Sequence, residues 1–97
     1  MLSDSPVVTV HIPLPLRTYA GGRAEIMASG DTVGEIFESI SHEYPAIRSR
    51  LMLDNGALAP WLAVFLGPRS VRELQGLATP MEQEELISVV LTGELPA

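Results

Sequence analysis

Apolar residues near the start of the chain recur at every second position. Between Val7 and Leu14 this alternation is typical of a strand with one buried face. The alternating positions are Val8, Val10, Ile12 and Leu14. Pro13 cannot donate a ladder hydrogen bond, so we expect the strand to end near it. The pair Gly21-Gly22 indicates a turn, and residues 23–28 are expected to return as the second strand of a hairpin.

The spacing of apolar residues changes to that of a helix after Asp31. Thr32, with Glu35 three residues later, forms a capping box, in which the threonine hydroxyl accepts a backbone bond from the first helical turn. Apolar residues then recur on one helical face. They are Val33, Ile36, Phe37, Ile40 and Tyr44. Pro45 is expected to end the helix, because the residue before a proline disfavours helical backbone angles.

The rest of the chain alternates between turns and short apolar runs. We expect a further helical turn at 47–53, a strand buried on both faces from Trp61 to Leu66, and a last strand from Leu86 to Leu91. Residues 70–72 fit either a short strand or a loop. One helix between a leading hairpin and trailing strands must bury its apolar face on one side of a mixed sheet. The predicted fold class is therefore α+β, as a single domain over residues 1–97 with 92–97 a flexible C-terminal tail.

The charge balance narrows the choice of partners. The formal net charge is −6 at pH 7, and the 6 basic residues are all arginines spread along the chain. Binding to nucleic acid phosphates needs clustered Lys and Arg, so we expect no nucleic acid partner, whereas a basic protein would be attracted. No apolar run approaches the ~20 residues of a membrane span, and the chain has no cysteine. These features favour a cytoplasmic protein that meets no membrane.

Few side chains offer chemistry of their own. His11 and His42 are the only histidines, and without cysteines or a spaced acid they make a poor metal site. The serines do not form a catalytic triad pattern. The acidic residues Glu82, Glu84 and Glu85 fit a solvated turn better than a cation site. We therefore expect no enzyme activity, no metal and no cofactor.

Four segments, taken in order, are similar to the MoaD/ThiS family of ubiquitin-like sulfur carrier proteins. This family includes the small subunit of molybdopterin synthase and the thiamine-pathway carrier. The segments are LPLRTYAGG, DTVGEIFESISHEYPAIRSRL, WLAVFLGPRSVRELQGLATPM and the closing strand, and together they cover nearly all of the chain from Val7 to Leu91. The resemblance implies a β-grasp (ubiquitin-like) fold, in which the first and last strands are central, parallel neighbours.

The segment after the last strand departs from the family. Family members usually end in Gly-Gly, and here Glu94 and Leu95 stand in those places, followed by Pro96 and Ala97. The family's acid-glycine-acid turn before the last strand is replaced by a run without glycine, Glu82-Gln83-Glu84-Glu85. The resemblance implies an E1-like adenylating enzyme and a larger synthase subunit as partners. In the family, that enzyme uses ATP to adenylate the terminal carboxylate, which then becomes a thiocarboxylate.

Side-chain size makes the departure at the tail important. In the family the tail threads a narrow channel in each partner, which glycine suits because it has no side chain. Leu95 is bulky, and Pro96 fixes its own backbone and restricts the residue before it. We therefore take the C-terminal tail as the candidate sulfur-carrying or processing site, with a processing protease as a further candidate partner. Its residues are Thr92, Gly93, Glu94 and Leu95.

Two functions remain open at this point. The first is a sulfur carrier of molybdopterin or thiamine biosynthesis that becomes competent after trimming, for example by cleavage after Gly93. The second is a non-catalytic β-grasp binding or regulatory module that kept the docking surface and lost the chemistry. Alternation allows either of two residue sets to face away from the helix, namely Leu62, Val64 and Leu66 or Trp61, Ala63 and Phe65. The candidate partner-binding face comprises Leu62, Val64, Leu66 and Phe65.

Overall fold

The computed structural model describes residues 5–82 and 86–93. Its strands are β1 (Val7–His11), β2 (Glu25–Ser29), β3 (Leu62–Leu66), β4 (Arg69–Ser70) and β5 (Leu86–Leu91). Its α-helices are α1 (Val33–Glu43) and the short α2 (Arg48–Leu51). Segments of 3-10 helix lie at Leu14–Tyr19, Pro45–Ile47, Val71–Glu73 and Gly76–Ala78. In this part of the chain no helix is long and apolar enough to cross a membrane.

The strands form one mixed sheet in the order β2-β1-β5-β3-β4. β1 and β5 are parallel neighbours, while the pairs β1–β2, β3–β5 and β3–β4 are antiparallel. The chain must therefore cross over between its first and last strands, and α1 provides part of that crossover. The expected α+β class and β-grasp topology are both confirmed.

Proline and turn chemistry set the ends of the first hairpin. β1 ends at His11 rather than Leu14, because Pro13 precedes a 3-10 helix that starts at Leu14. β2 begins at Glu25, two residues later than expected, although the Ile12 N–H still donates to the Ala24 carbonyl at 2.7 Å. The hairpin itself is confirmed, with strand bounds that differ by one to three residues.

The N-terminus of α1 carries the expected cap. Thr32 Oγ1 accepts the Glu35 N–H at 3.2 Å, and Thr32 has the extended backbone of an N-cap residue. Glu35 Oε1 in turn accepts the Asp31 N–H at 3.0 Å. The return bond therefore goes to the residue before the cap rather than to the cap itself. It still satisfies a backbone donor close to the start of the helix.

α1 packs its apolar face on one side of the sheet. The helix residues Val33, Ile36, Phe37 and Ile40 are all at most 1% exposed. They share one core with the inward-facing strand residues, which are Val8, Val10, Ile26, Leu62, Val64, Ile87 and Val89. Tyr44, expected on the same helical face, is the C-cap residue and is only partly buried. The helix register predicted from the sequence is thus confirmed for its four central apolar positions.

The prediction that β3 is buried on both faces is wrong. Leu62 and Val64 are buried, whereas the alternating Ala63 and Phe65 are only half-buried. The described helices pack on one side of the sheet, so the second side of β3 keeps contact with solvent. A run of consecutive apolar residues suggested a doubly covered strand, but half of this run belongs to an open sheet face.

Candidate functional site: the C-terminal strand and the open face of the sheet

The last strand leads directly to the candidate carrier end. β5 lies between β1 and β3, and Leu91 pairs with Leu62 at its C-terminal end. One residue further on, the Thr92 N–H donates to the Trp61 carbonyl at 2.8 Å. Gly93 follows and is exposed. β5 is hydrogen-bonded to a strand on each side, so the position at which Thr92 and Gly93 reach the surface is fixed by the sheet.

Trp61 connects this exit to the short helix α2. Its indole N–H donates to the Arg50 carbonyl at 2.9 Å. The Arg50 guanidinium in turn lies 4.0 Å from the centre of the Tyr19 ring, a cation–π arrangement. The exit of the tail is thus supported by contacts with two separate segments of the chain.

Arg72 fixes the start of β3 from its other edge. Its Nη2 donates to the carbonyl of Ala59 at 2.9 Å and to that of Leu62 at 3.1 Å. The Trp61 carbonyl points toward β5, where it accepts the Thr92 N–H. Carbonyl direction alternates along a strand, so the Leu62 carbonyl points away from β5. One guanidinium therefore satisfies two carbonyls that the short β4 does not reach.

The described residues include part of the predicted tail. Thr92 and Gly93 are both exposed, with the hydrogen bond of Thr92 described above. Glu94 and Leu95, the other two predicted site residues, lie outside the described residues. The same is true of Pro96 and Ala97. The role of the tail, and its flexibility, remain predictions.

The side of the sheet away from α1 presents an apolar surface next to this exit. We call it the open face and define it by the outward residues of the four longer strands. These are Val7, Thr9 and His11 of β1, Glu25, Met27 and Ser29 of β2, Ala63 and Phe65 of β3, and Leu86, Ser88 and Val90 of β5. Met27 is 70% exposed, Leu86 48% and Val90 44%. Val90 pairs with Ala63 close to the point where the chain leaves the sheet.

The assignment of Leu62 and Val64 to a partner-binding face is corrected by their burial. Both are at most 1% exposed and face α1, so a partner on the open face cannot reach them. Leu66 is partly buried and packs against the same core. Phe65 does lie on the open face, across from Ser88. Of the two residue sets that alternation left open, the one with Ala63 and Phe65 faces outward.

Several exposed members of the open face were not identified from the sequence. The open face adds four exposed apolar residues to those predicted, namely Val7, Met27, Leu86 and Val90. The signal was available, since each alternates with a buried residue of its own strand. These residues form one surface only where the sheet brings the four strands together, which the pattern of a single strand does not record.

The residues considered for other chemistry do not come together. His11 lies on the open face opposite Glu25, and His42 is exposed on α1. Glu82 is exposed, while Glu84 and Glu85 lie outside the described residues. In residues 5–82 and 86–93 no group of three or more metal-ligating side chains is close enough to hold an ion.

Comparison with known proteins places this arrangement in a family. No family model matches the chain. The sulfur carrier protein CysO of Mycobacterium tuberculosis (strain H37Rv) is 33% identical over 85 residues, which are 86% of this chain and 91% of that protein. The chain belongs to the MoaD/ThiS-like family of ubiquitin-like sulfur carrier proteins.

Solved structures agree with this membership. The crystal structure of Mycobacterium tuberculosis CysO superposes with a TM-score of 0.82 at 32% identity, covering 89% of this chain and 99% of that one. A chain of the BexX/CysO complex from Amycolatopsis orientalis gives a TM-score of 0.84 at 29% identity, covering 90% and 97%. The small archaeal modifier protein 1 of Methanosarcina acetivorans has a TM-score of 0.80 at 23% identity over 92% and 95% of the two chains, a likeness of fold alone.

Proposed function

We propose that this protein is a sulfur carrier whose C-terminal carboxylate is activated and converted to a thiocarboxylate after removal of the residues that follow Gly93. The single observation that carries the proposal is the 33% identity to a named sulfur carrier over 86% of the chain. The geometry supports it, because Thr92 and Gly93 are exposed at the C-terminal end of the central strand β5, where a partner's active site can receive them. The protein itself acts as a substrate and not as an enzyme.

The proposed chemistry takes place at the carboxyl group exposed on Gly93. One carboxylate oxygen attacks the α-phosphorus of ATP in an E1-like adenylating enzyme, and pyrophosphate leaves. Hydrosulfide then attacks the carbonyl carbon of the mixed anhydride, AMP leaves with the bridging oxygen, and the thioacid loses its proton. The resulting thiocarboxylate is a sulfur nucleophile held on a protein domain. Because the first step consumes ATP, we expect the reaction to take place in the cytoplasm.

The trimming step follows from the residues after Gly93. Leu95 and Pro96 stand in the part of the chain that would have to enter a narrow channel. A side chain and a fixed proline ring oppose that entry, whereas a Thr92-Gly93 end leaves only one small residue at the reacting carbonyl. A processing protease that cuts after Gly93 would therefore switch the carrier on.

Partner enzymes of the carrier, the adenylating enzyme first, dock on the open face. Exposed apolar side chains that lie together on a soluble domain mark protein interaction sites. The face includes Val90, which lies on the strand that leads to the tail. Docking there would hold the tail close to a partner's active site.

An experiment with three chains tests the proposal. The untrimmed chain, a chain that ends at Gly93, and a chain with Glu94→Gly and Leu95→Gly that ends at residue 95 are each incubated with the adenylating enzyme of the same pathway, ATP and a sulfide donor. Intact mass spectrometry reads the exchange of one oxygen for sulfur. We expect conversion of the two engineered chains and none of the untrimmed chain.

The other outcomes have definite meanings. Conversion of the untrimmed chain would remove the trimming step from the proposal. If neither engineered chain reacts although both bind the enzyme, the domain is a binding or regulatory module without carrier chemistry.

A further inference from the structure

The edge strand β2 presents hydrogen-bonding groups that no described strand uses. β2 is the first strand of the sheet order and pairs only with β1. The Ile12 N–H donates to the Ala24 carbonyl at 2.7 Å, and the Gly30 N–H to the Pro6 carbonyl at 3.1 Å. In an antiparallel pair the direction of these groups alternates from residue to residue. The N–H and C=O groups of Glu25, Met27 and Ser29 therefore point away from β1, toward the outside of the sheet.

A groove lies along this edge. It has a volume of about 290 Å³ and is bounded by β2, the segment before it and the C-terminal end of α1. Its lining residues are Arg23, Glu25, Ile26, Met27, Glu43 and Tyr44. Apolar and aromatic side chains lie here beside charged ones, and the side chains of an added strand would meet both kinds.

The wall formed by Tyr44 is closely supported by the hairpin turn. Gly21 has a φ of +65°, and a Cβ at that position would lie 3.2 Å from the Tyr44 ring. Glycine therefore provides both the left-handed backbone and the room for the ring. The Tyr44 side of the groove is built into the fold rather than left to a loose surface side chain.

Charge decides what kind of segment fits. The groove is lined by two carboxylates, Glu25 and Glu43, and by one guanidinium, Arg23, on a chain with a net charge of −6. A second copy of this chain would bring the same excess of carboxylates to the contact and would be repelled. A segment with Lys or Arg near Glu25 and Glu43 would be attracted.

We propose that the outer edge of β2 binds an extended, basic segment of a partner protein, which adds to the sheet as a further strand. Its backbone pairs with Glu25, Met27 and Ser29. Its apolar side chains pack on Met27 and Tyr44, and a Lys or Arg lies beside the two glutamates. Recognition of this kind combines backbone hydrogen bonds for affinity with alternate side chains for specificity. The inference does not rest on the proposed carrier chemistry, because the groove lies on β2 and the tail leaves from β5.

The experiment begins with a display library of random linear peptides selected against the full chain. The selected peptides are then titrated against variants. Glu25→Lys/Glu43→Lys should weaken binding about tenfold, since two exposed charge pairs are reversed. Asp54→Lys/Glu73→Lys makes the same change in net charge at exposed positions outside the groove and should leave binding unchanged.

Two further variants test the backbone contacts. Met27→Pro removes an N–H that points away from β1, so the hairpin keeps its own bonds while the peptide should bind about fivefold more weakly. Met27→Leu keeps the N–H and should bind as the unchanged chain does. Peptides N-methylated at alternate residues test the same bonds without any change in the protein. Amide exchange by NMR should slow at Glu25, Met27 and Ser29 on binding.

The outcomes separate the proposal from its rivals. The proposal is supported if the selected peptides alternate apolar residues with Lys or Arg. Their binding must also weaken when the charges of Glu25 and Glu43 are reversed and when alternate peptide residues are N-methylated. A library that yields no binder overturns the proposal, as do peptides whose NMR shifts map to Val90 and Phe65 on the open face. If the unliganded chain self-associates and Met27→Pro abolishes that association, the outer edge of β2 binds a second copy of the chain instead.

Discussion

The backbone N–H of Thr92 donates to the carbonyl of Trp61 at 2.8 Å. This bond extends the β3–β5 ladder by one residue beyond the pair Leu62–Leu91 and sets the place where the chain leaves the sheet. Trp61 is itself held by its indole bond to the Arg50 carbonyl. The position of Gly93 is thus linked through one tryptophan to the short helix α2.

The centre of the core should depend strongly on Phe37. Its side chain is fully buried between α1 and the sheet, and we expect Phe37→Ala to lower the free energy of unfolding by about 3–5 kcal/mol. Urea denaturation followed by circular dichroism measures it. Phe65→Ala is the matched control, because Phe65 is half-buried on the open face and should cost less. Equal costs for the two variants would contradict the packing described here.

The cap of α1 gives a smaller and separate prediction. Thr32→Ala removes the acceptor of the Glu35 N–H, and the free energy of unfolding should fall by about 1 kcal/mol. Thr18→Ala, at an exposed position in the first 3-10 helix, serves as the control and should change little. If the two variants unfold at the same denaturant concentration, the capping bond does not stabilise the helix as expected.

These two residues show how much of the fold local sequence signals determine. The cap at Thr32 and the spacing of Val33, Ile36, Phe37 and Ile40 depend only on neighbouring residues, and both were predicted correctly. The burial of β3 depends on what covers each face of the sheet, which no local pattern records. For that reason Leu62 and Val64 were assigned to a partner-binding face although they lie in the core.

The sequence predicts which residues form the candidate site, but it does not predict which residues surround and support them. Thr92 and Gly93 follow from the last strand and from family resemblance. The supports of the exit, Trp61 and Arg72, act on backbone carbonyls distant in sequence. A hydrogen bond from an arginine to a carbonyl leaves no pattern in the sequence, so this contribution became visible only in the structure.

Arg72 provides a test of those supports. Arg72→Ala removes the guanidinium bond to the Leu62 carbonyl and one of the two bonds to the Ala59 carbonyl, which keeps the Leu62 N–H at 3.2 Å, and the free energy of unfolding should fall by about 1–3 kcal/mol. Arg69→Ala is the control, since Arg69 is an exposed arginine on the neighbouring β4. Thermal unfolding of both variants at one ionic strength measures the difference. A loss no larger for Arg72→Ala than for the control would show that water replaces the guanidinium without cost.

The open face should bind the adenylating enzyme. Val90→Asp places a charge among exposed apolar side chains, so it should abolish binding in a calorimetric titration while the domain stays folded. Leu74→Asp is the control, because Leu74 is also an exposed apolar residue, on the segment after β4 and away from the open face. Unchanged affinity of the Val90→Asp variant would remove the docking role of this face.

The last prediction concerns the size of the residue at the carrier end. Within the domain, a Cβ at Gly93 would lie 3.9 Å from the Cβ of Trp61, which is ordinary van der Waals contact. Gly93→Val in a chain that ends at residue 93 should therefore fold with the stability of the Gly93 chain. The reacting carbonyl would nevertheless carry a branched side chain into the enzyme's channel, and we expect adenylation to be lost. Pyrophosphate exchange catalysed by the adenylating enzyme measures the reaction, and thermal unfolding checks the fold.

Thr92→Val in the same trimmed chain is the control, because it keeps glycine at the end and keeps the backbone N–H of residue 92 bonded to Trp61. Adenylation of the Gly93→Val chain at the rate of the control would show that side-chain size at this position does not limit entry, and the steric reason for trimming before Leu95 would fall with it.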